Sequence, residues 1–398
     1  MKEISKIALS TQASTTLIVD ALYKQMVANG DDVIGFGAGE PDFDTPGNIK
    51  EAAHEAIRNG KTRYTHSAGI PELRKAVAGR LLTDCGITYA PEQIIVASGA
   101  KHSIYITLRT LINSGDEVIL PAPYWVTYAE AIKMTGGTPV IVSALEQDDF
   151  KITKKQLEAA VSDKTKLFIL NNPSNPTGML YSENELRELT EVCVKHDLYI
   201  MSDEVYYNLV YDGKKFTSVA KLGEDIKERT IIINGVSKTY AMTGWRIGYS
   251  ASNTHLAGIM SNYLSHSTSA PSTISQYAAV EAFNGSQESV AAMRCEFEKR
   301  RNYIVERINT IDGLSCRKPE GAFYVMLNIK QQIGRTLGGR HIGNSDDFSL
   351  AFLESQKVAA VSCTGFGCDN FIRMTYAASM DSIREGMDRL ERFVGRKE

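Results

Sequence analysis

The strongest constraint on the fold is an alternation that runs from Gln93 to Ser250. Seven short apolar runs occur there: Gln93–Ala97, Glu117–Leu120, Pro139–Val142, Leu167–Leu170, Leu198–Met201, Thr230–Ile233 and Trp245–Tyr249. Most are separated by helical stretches such as His102–Ile112, Trp125–Met134 and Ser182–His196. Continuous apolar runs alternating with helices predict an α/β fold with a mostly parallel, seven-stranded sheet covered on both faces. Ligands of such open sheets bind beyond the carboxyl ends of the strands. The residues that follow each run are therefore the first candidates for function.

After the first run, Ser98-Gly99-Ala100-Lys101 opens a helix, where backbone N–H groups and the positive helix end suit a phosphate. After the second, Pro121-Ala122-Pro123-Tyr124-Trp125 places an indole in the crevice. After the fourth, the rigid turn Asn171 to Gly178 aims the Asn175 amide inward. Ser202-Asp203-Glu204-Val205-Tyr206 follows the fifth run, and Gly235-Val236-Ser237-Lys238 the sixth. Each alone has a plain explanation as a turn, a core aromatic or a helix cap. Together, on one edge of one sheet, they predict a ligand site. Lys238 at the mouth of a buried strand is placed to lose its charge and act as a nucleophile. Ser237 and Arg246 nearby suit a phosphate.

A lysine, a phosphate cradle, a carboxylate and a flat aromatic are the parts that pyridoxal 5'-phosphate requires. Its protonated ring nitrogen draws electrons from a substrate Cα carbanion, and Asp203 is the candidate to keep that nitrogen protonated. Trp125 offers a face for the ring. Asn175 and Tyr206 are donors for the ring oxygen, while the Ser98–Ala100 turn, Ser237 and Arg246 are donors for the phosphate. Lys238 is the Schiff-base lysine and, once displaced by a substrate amine, the proton shuttle.

The flanking segments supply the rest. A Ser/Thr-rich stretch, Ser10 to Thr16, precedes a helical pattern through Leu17, Ala21, Leu22 and Met26. The loop Gly35-Phe36-Gly37-Ala38-Gly39-Glu40-Pro41 carries alternate glycines that let backbone approach a ligand closely. Tyr64, between helices Asn48–Asn59 and Pro71–Asp84, reads as loop packing. Helices Thr273–Phe283 and Glu288–Asn309 lead into an α+β region with strands Phe323–Leu327 and Phe371–Thr375. The charges Glu296, Glu298, Lys299, Arg300 and Arg301 read as a solvated or interdomain face. Arg373 lies inside an apolar strand and needs an anionic partner. That partner is either a structural carboxylate or the α-carboxylate of a substrate, held in a two-pronged pair with Gly39 beside it. The expected organisation is 1–45 with the small domain, 46–285 as the large cofactor-binding domain and 286–398 as the small C-terminal domain.

A chain of 398 residues exceeds one compact core. Its 44 basic and 47 acidic side chains give −3, which argues against nucleic acid or an anionic membrane as partner. No apolar run approaches the ~20 residues of a membrane span, and the N-terminus lacks the apolar core of a secretory signal. Six cysteines without a CxxC pair indicate neither zinc nor a disulfide framework. No metal is expected, and the thiols read as reduced in a cytoplasmic protein.

These same residues carry a family likeness. GAGEPDFDTP, SGAKHS, PAPYW, NNPSNPTG, SDEVYY, SKTYAMTGWRIGY, PEGAFY and FIRMTYA occur in order along nearly the whole chain. The chain resembles the class I aminotransferases of the fold-type I pyridoxal-phosphate enzymes, and most closely the gamma subgroup of aspartate aminotransferases. The resemblance implies Lys238 as the aldimine lysine, Asp203 on the ring nitrogen, Asn175 and Tyr206 on the ring oxygen, Trp125 stacked on the ring and Arg246 on the phosphate. It implies that Gly39, Trp125, Asn175 and Arg373 contact substrate. It also implies a homodimer in which Tyr64 reaches the cofactor phosphate of the neighbouring subunit. Thr16 and Lys101 match positions that face a distal carboxylate, favouring aspartate and glutamate with 2-oxoglutarate and oxaloacetate. Gln12 replaces the lysine of prephenate-using members. Two further departures are Ser362-Cys363-Thr364, where a Pro-Gly-Ser turn is usual, and His102 for a common glutamine. The first is expected to reshape the substrate pocket through its closeness to Arg373. The same cofactor parts also serve aminotransferases for aromatic or small neutral amino acids, and β-lyases.

Overall fold

The computed structural model describes residues 2–11 and 16–395, with only the backbone of Ser10 and of residues 16–20. Helices α1 (Lys6–Ser10) and α2 (Thr16–Ala28) and the short strand β1 (Ile34–Gly35) come first, then helices α3 (Gly47–Arg58) and α4 (Pro71–Cys85). The alternating region follows. Its strands are β2 (Ile94–Ala97), β3 (Glu117–Ala122), β4 (Thr138–Ser143), β5 (Thr165–Asn171), β6 (Tyr199–Asp203), β7 (Thr230–Gly235) and β8 (Gly248–Ala251). Between them run α5 (Ala100–Leu111), α6 (Thr127–Met134), α7 (Lys154–Ala160), α8 (Glu183–Lys195) and α9 (Glu224–Arg229).

These strands form one seven-stranded sheet in the order β2-β8-β7-β6-β5-β3-β4. β8 runs antiparallel to β2 and β7, and every other pair is parallel. Side chains alternate between the faces, as the pleat requires. Ile231 and Ile233 pack with Ile104 and Leu108 of α5, whereas Ile232 packs with Leu73 and Val77 of α4. With both faces covered, β2, β7 and β8 are buried throughout, which is why β2 and the body of β7 read as apolar runs rather than alternations.

The last strand differs from its sequence reading. Trp245 closes a short 3-10 turn, Arg246 adopts a left-handed backbone at φ 58°, and β8 begins only at Gly248. A Cβ on Gly248 would lie 2.2 Å from the Ala100 nitrogen. The strand therefore starts where glycine lets it press against the head of α5. The helices α7, α9 and, after β8, α10 (Thr254–Ser265) are additional to the helices read from the sequence, although α7 opens on a Thr153–Gln156 capping box.

Helices α11 (Thr273–Asn284) and α12 (Glu288–Thr310) lead to the second layer of structure. It contains β9 (Tyr324–Asn328), the hairpin β10 (Thr336–Leu337) and β11 (Arg340–His341), α13 (Ser345–Gln356), β12 (Val358–Ala359), β13 (Val361–Ser362), β14 (Phe371–Thr375) and α14 (Met380–Gly395). β13, β14 and β9 form an antiparallel sheet, and β1 pairs in parallel with β12. Ile34 and Phe36 accordingly share a core with Phe297, Tyr324, Phe348, Ile383 and Leu390.

The charged face of α12 is only partly solvated. Arg301 is fully buried and donates from both terminal nitrogens to Asp212, at 2.9 Å each, and to the Pro319 carbonyl at 2.6 Å. Arg300 is buried as well and donates to Asp42 at 2.7 Å and Glu296 at 3.1 Å. Among the described residues no helix is long and apolar enough to cross a membrane, and no cluster of His, Cys, Asp and Glu could hold a metal ion.

Candidate active site

A cavity of about 700 Å³ lies beyond the carboxyl ends of β5, β6 and β7, walled on another side by α2, the Gly37–Glu40 loop and β14. Asp203, the last residue of β6, is buried there. Tyr128 donates its hydroxyl to Asp203 Oδ2 at 2.6 Å, and the Val205 N–H donates to Oδ1 at 3.3 Å. Burial pushes the Asp203 carboxyl up to about 6 against the pull of these bonds.

Lys238 stands three residues past the end of β7 and donates to the Gly39 carbonyl. Desolvation lowers its amine to about 8, the Glu40 charge opposes that shift, and Arg373 and Arg246 add to it. Lys238 is thereby closer to neutral at physiological pH than an ordinary lysine.

Arg246 lies across the head of α5. Its left-handed backbone turns the guanidinium back over Gly99, where a Cβ would sit 2.5 Å from Nη2. Gly99 itself has φ 87°, so the turn needs glycine twice over. Arg246 donates to the Thr243 and Ser98 carbonyls at 3.0 and 3.3 Å. The Ser98 N–H is donated to His102 Nδ1 at 3.2 Å and the Gly99 N–H to the Ala97 carbonyl at 2.7 Å. Ala100 and Ser237 line the cavity, while Ser98 and Gly99 are not among its lining residues. The first N–H groups of α5 are the ones left without an intrahelical acceptor.

Arg373, in the middle of β14, is buried without a carboxylate partner. It donates to Asn175 Oδ1 at 3.2 Å and to the Gly37 carbonyl at 2.8 Å, and its Nε has no acceptor. Its guanidinium lies 4.5 Å from the Tyr324 ring centroid and 5.1 Å from that of Phe366. Of the two readings of this arginine, a structural salt bridge is absent among the described residues. Tyr206 is buried beside it in the wall, with its hydroxyl 3.2 Å from that of Tyr324. Lys101 Nζ sits 4.9 Å from the Trp125 ring centroid, and burial, then Arg246, lowers its pKa.

The cavity thus brings together Gly39, Ala100, Lys101, Trp125, Asn175, Asp203, Tyr206, Ser237, Lys238, Arg246 and Arg373 from distant parts of the chain. Tyr64 is not among them: its side chain is fully exposed. Gln12 and the side chain of Thr16 lie outside the described residues. Ser362-Cys363-Thr364 does not reach the cavity either. Ser362 pairs with Ile372 between β13 and β14, and Phe366 of that loop places its ring centroid 5.1 Å from the Arg373 guanidinium. Sequence reasoning missed Tyr128, Tyr324, Glu40, Thr243 and Tyr23. Tyr128 lies in the first turn of α6, three residues after Trp125, and their rings meet edge-on at 5.5 Å. Five basic side chains (Lys24, Lys101, Lys238, Arg246, Arg373) face two carboxylates (Glu40, Asp203) across this space. Such a site suits a ligand bearing several negative charges.

Comparison with known proteins agrees with this geometry. Residues 31–390 match the family Aminotransferase class I and II. The chain belongs to that family and is an aminotransferase. It is 47% identical over 392 residues to an aspartate aminotransferase of Bacillus subtilis, covering 98% of this chain and 99% of the relative. It is 42% identical to an asparagine–oxo-acid transaminase of Streptococcus mutans, covering 99% of this chain and all of the relative. Among solved structures, the aspartate aminotransferase of Rhizobium meliloti superposes with a TM-score of 0.96 at 39% identity over the full length of both chains. That of Thermus thermophilus with maleate gives 0.93 at 34% identity, covering 99% of this chain and 100% of the other.

Proposed function

We propose that this protein is an aspartate aminotransferase that moves the amino group between L-aspartate and 2-oxoglutarate with pyridoxal 5'-phosphate. The observation that carries the reading is Arg373: a buried guanidinium on the cavity wall with only neutral acceptors and a free Nε. A charge buried in this way calls for an anion, and a substrate α-carboxylate is one that fits two parallel N–H donors. The names of the relatives support aspartate as the amino donor.

The donor set fits the cofactor. The head of α5, Ser237 and Arg246 form an anion cradle, and a Cβ on Gly99 would run into the Arg246 guanidinium that completes it. Asp203, held by Tyr128 and Val205, supplies a fixed carboxylate for a ring nitrogen, and Trp125 supplies a ring face. When bound, pyridoxal 5'-phosphate supplies the electron sink for the bond broken at the amino-acid Cα. Lys238 would hold the cofactor through its aldehyde carbon and, once released by the substrate amine, its Nζ would carry the proton between the amino-acid Cα and that cofactor carbon, on the far side of the bridging nitrogen. Asn175 and Tyr206 hold the ring oxygen. Arg373 orients the α-carboxylate, with Gly39 beside it, while Lys101 and Thr16 take the distal carboxylate.

The reading includes a homodimer. Tyr64 is fully exposed in the single chain, and a groove of about 510 Å³ lined by Glu40, Thr45, Thr243, Trp245 and Ser275 adjoins the site. Tyr64 of one subunit then completes the phosphate cradle of the other. The chain divides into 1–45 with 286–398 as the small domain and 46–285 as the large one, a division supported by the β1–β12 pairing. Steady-state assays with aspartate, alanine, phenylalanine and cystathionine test the function. The expected result is 2-oxoglutarate-dependent consumption of aspartate at the highest kcat/KM. Preference for phenylalanine or alanine, or lysis of cystathionine, overturns it.

A further inference from the structure

Tyr23 has no part in the account so far, although its side chain lines the same cavity as Lys101, Trp125 and Arg373. Its placement is set by a glycine. The segment Gly35-Phe36-Gly37-Ala38-Gly39 begins in β1 and puts alternate residues on one side where it is extended. Gly39 gives its carbonyl to Lys238 and Gly37 gives its carbonyl to Arg373. Gly35 carries the ring of Tyr23: a Cβ there would lie 3.1 Å from Cζ, 3.1 Å from Oη and 3.2 Å from Cε2. The ring therefore bears directly on backbone. It is half-buried, and it packs at its back against the cluster of Met26, Leu353 and Ala359.

We infer that Tyr23 is a specificity-determining residue whose ring, seated on Gly35, sets how large a substrate side chain the cavity accepts. The inference rests on the proposed placement of the α-carboxylate on Arg373 and of Cα beside Lys238. With those two points held, the substrate side chain extends into the space between α2 and the Lys101–Trp125 wall. A short dicarboxylate reaches Lys101 without displacing the Tyr23 ring. An aromatic side chain competes with that ring for the same volume, and a well-packed wall yields little. Discrimination thus comes from occupied space as well as from the cations, which is exclusion of the wrong substrate rather than attraction of the right one.

The test uses the cofactor-loaded protein and its variants Tyr23→Ala, Tyr23→Leu and Tyr23→Phe. One readout is the ratio of kcat/KM for phenylalanine to that for aspartate, and a second is the inhibition constant of 3-phenylpropionate relative to that of succinate. Tyr23→Ala raises the ratio about tenfold and tightens 3-phenylpropionate by a similar factor relative to succinate. Tyr23→Leu moves both in the same direction by less and serves if the alanine variant does not fold. Tyr23→Phe, which keeps the ring, leaves both within threefold of the unmodified protein. Unchanged values in the alanine and leucine variants, or a phenylalanine variant that behaves like alanine, overturn the inference. Failure of the unmodified protein to consume aspartate rejects the proposed function instead, and the inhibitor ratio then still decides the role of Tyr23.

Discussion

Asp203 and Lys238 are drawn toward each other in pKa by the same physical cause. Burial disfavours the charged form of each, lifting the acid to about 6 and lowering the amine to about 8. Below about pH 8 most of Lys238 is protonated and unreactive toward an aldehyde. The rate at which cofactor-free protein captures pyridoxal 5'-phosphate should therefore rise with pH through about 8 and level off above it. Stopped-flow absorbance measures that rate, and a profile still climbing tenfold per pH unit at pH 9.5 would contradict the lowered pKa. Glu204 shows the same cause without a function. It is buried, accepts from Ser202 at 2.8 Å and Ser218 at 2.7 Å, and meets no cation among the described residues. Desolvation lifts its carboxyl to about 7. The folded chain then keeps a proton that the unfolded chain releases near pH 4.5, so stability falls as pH rises from there to about 7. Glu204→Gln is predicted to raise Tm above that of the unmodified protein by a few degrees at pH 8, or roughly 1–3 kcal/mol. At pH 5 the advantage should vanish. Thermal scans at the two pH values decide it.

Elements explain what single residues cannot. The alternation of apolar runs and helices was legible because a sheet covered on both faces keeps its central strands mostly apolar. The edge of that pattern was harder to read. Trp245, Ile247 and Tyr249 look strand-like, but the chain cannot extend until Gly248, because Arg246 must turn back over Gly99 and only glycine fits against Ala100. Function displaced the strand, and propensity carries no sign of that. The charges of α12 were read as ambiguous for a similar reason: periodicity cannot tell solvent from a distant carboxylate. Arg301 meets Asp212, 89 positions away in sequence. Removing one partner leaves a buried charge only partly compensated by Glu298 and the Pro319 carbonyl. Asp212→Ala should destabilise the fold by about 2–4 kcal/mol. Urea unfolding measures it, and a loss under 0.5 kcal/mol would show that the pair contributes little.

At the scale of the whole molecule, the site is a meeting of segments that the sequence separates by hundreds of residues. Asp203, Ser237 and Lys238 were legible because topology sends every parallel strand's carboxyl end to one edge, and Arg246 joins them because it precedes the antiparallel β8, whose amino end lies at that edge. Tyr128 and Tyr324 were not, because each acts through another residue: one orients Asp203 and the other lies under Arg373. Tyr64 is the extreme case. It reads as loop packing, yet among the described residues its side chain is fully exposed and gains a role only in the proposed dimer. Tyr64→Ala is predicted to weaken cofactor binding about tenfold, ~1.4 kcal/mol, in equilibrium titrations. An unchanged dissociation constant would contradict a shared site. The central claim is that Lys238, Asp203 and Arg373 form one site that takes an amino group from aspartate and gives it to 2-oxoglutarate. The most direct measurement follows the visible absorbance of the cofactor-loaded protein while each substrate is added alone. Aspartate should bleach the band of the lysine-bound cofactor without any acceptor present, and 2-oxoglutarate added after removal of aspartate should restore it. A band that aspartate leaves unchanged, or one that bleaches and that 2-oxoglutarate cannot restore, would contradict the account.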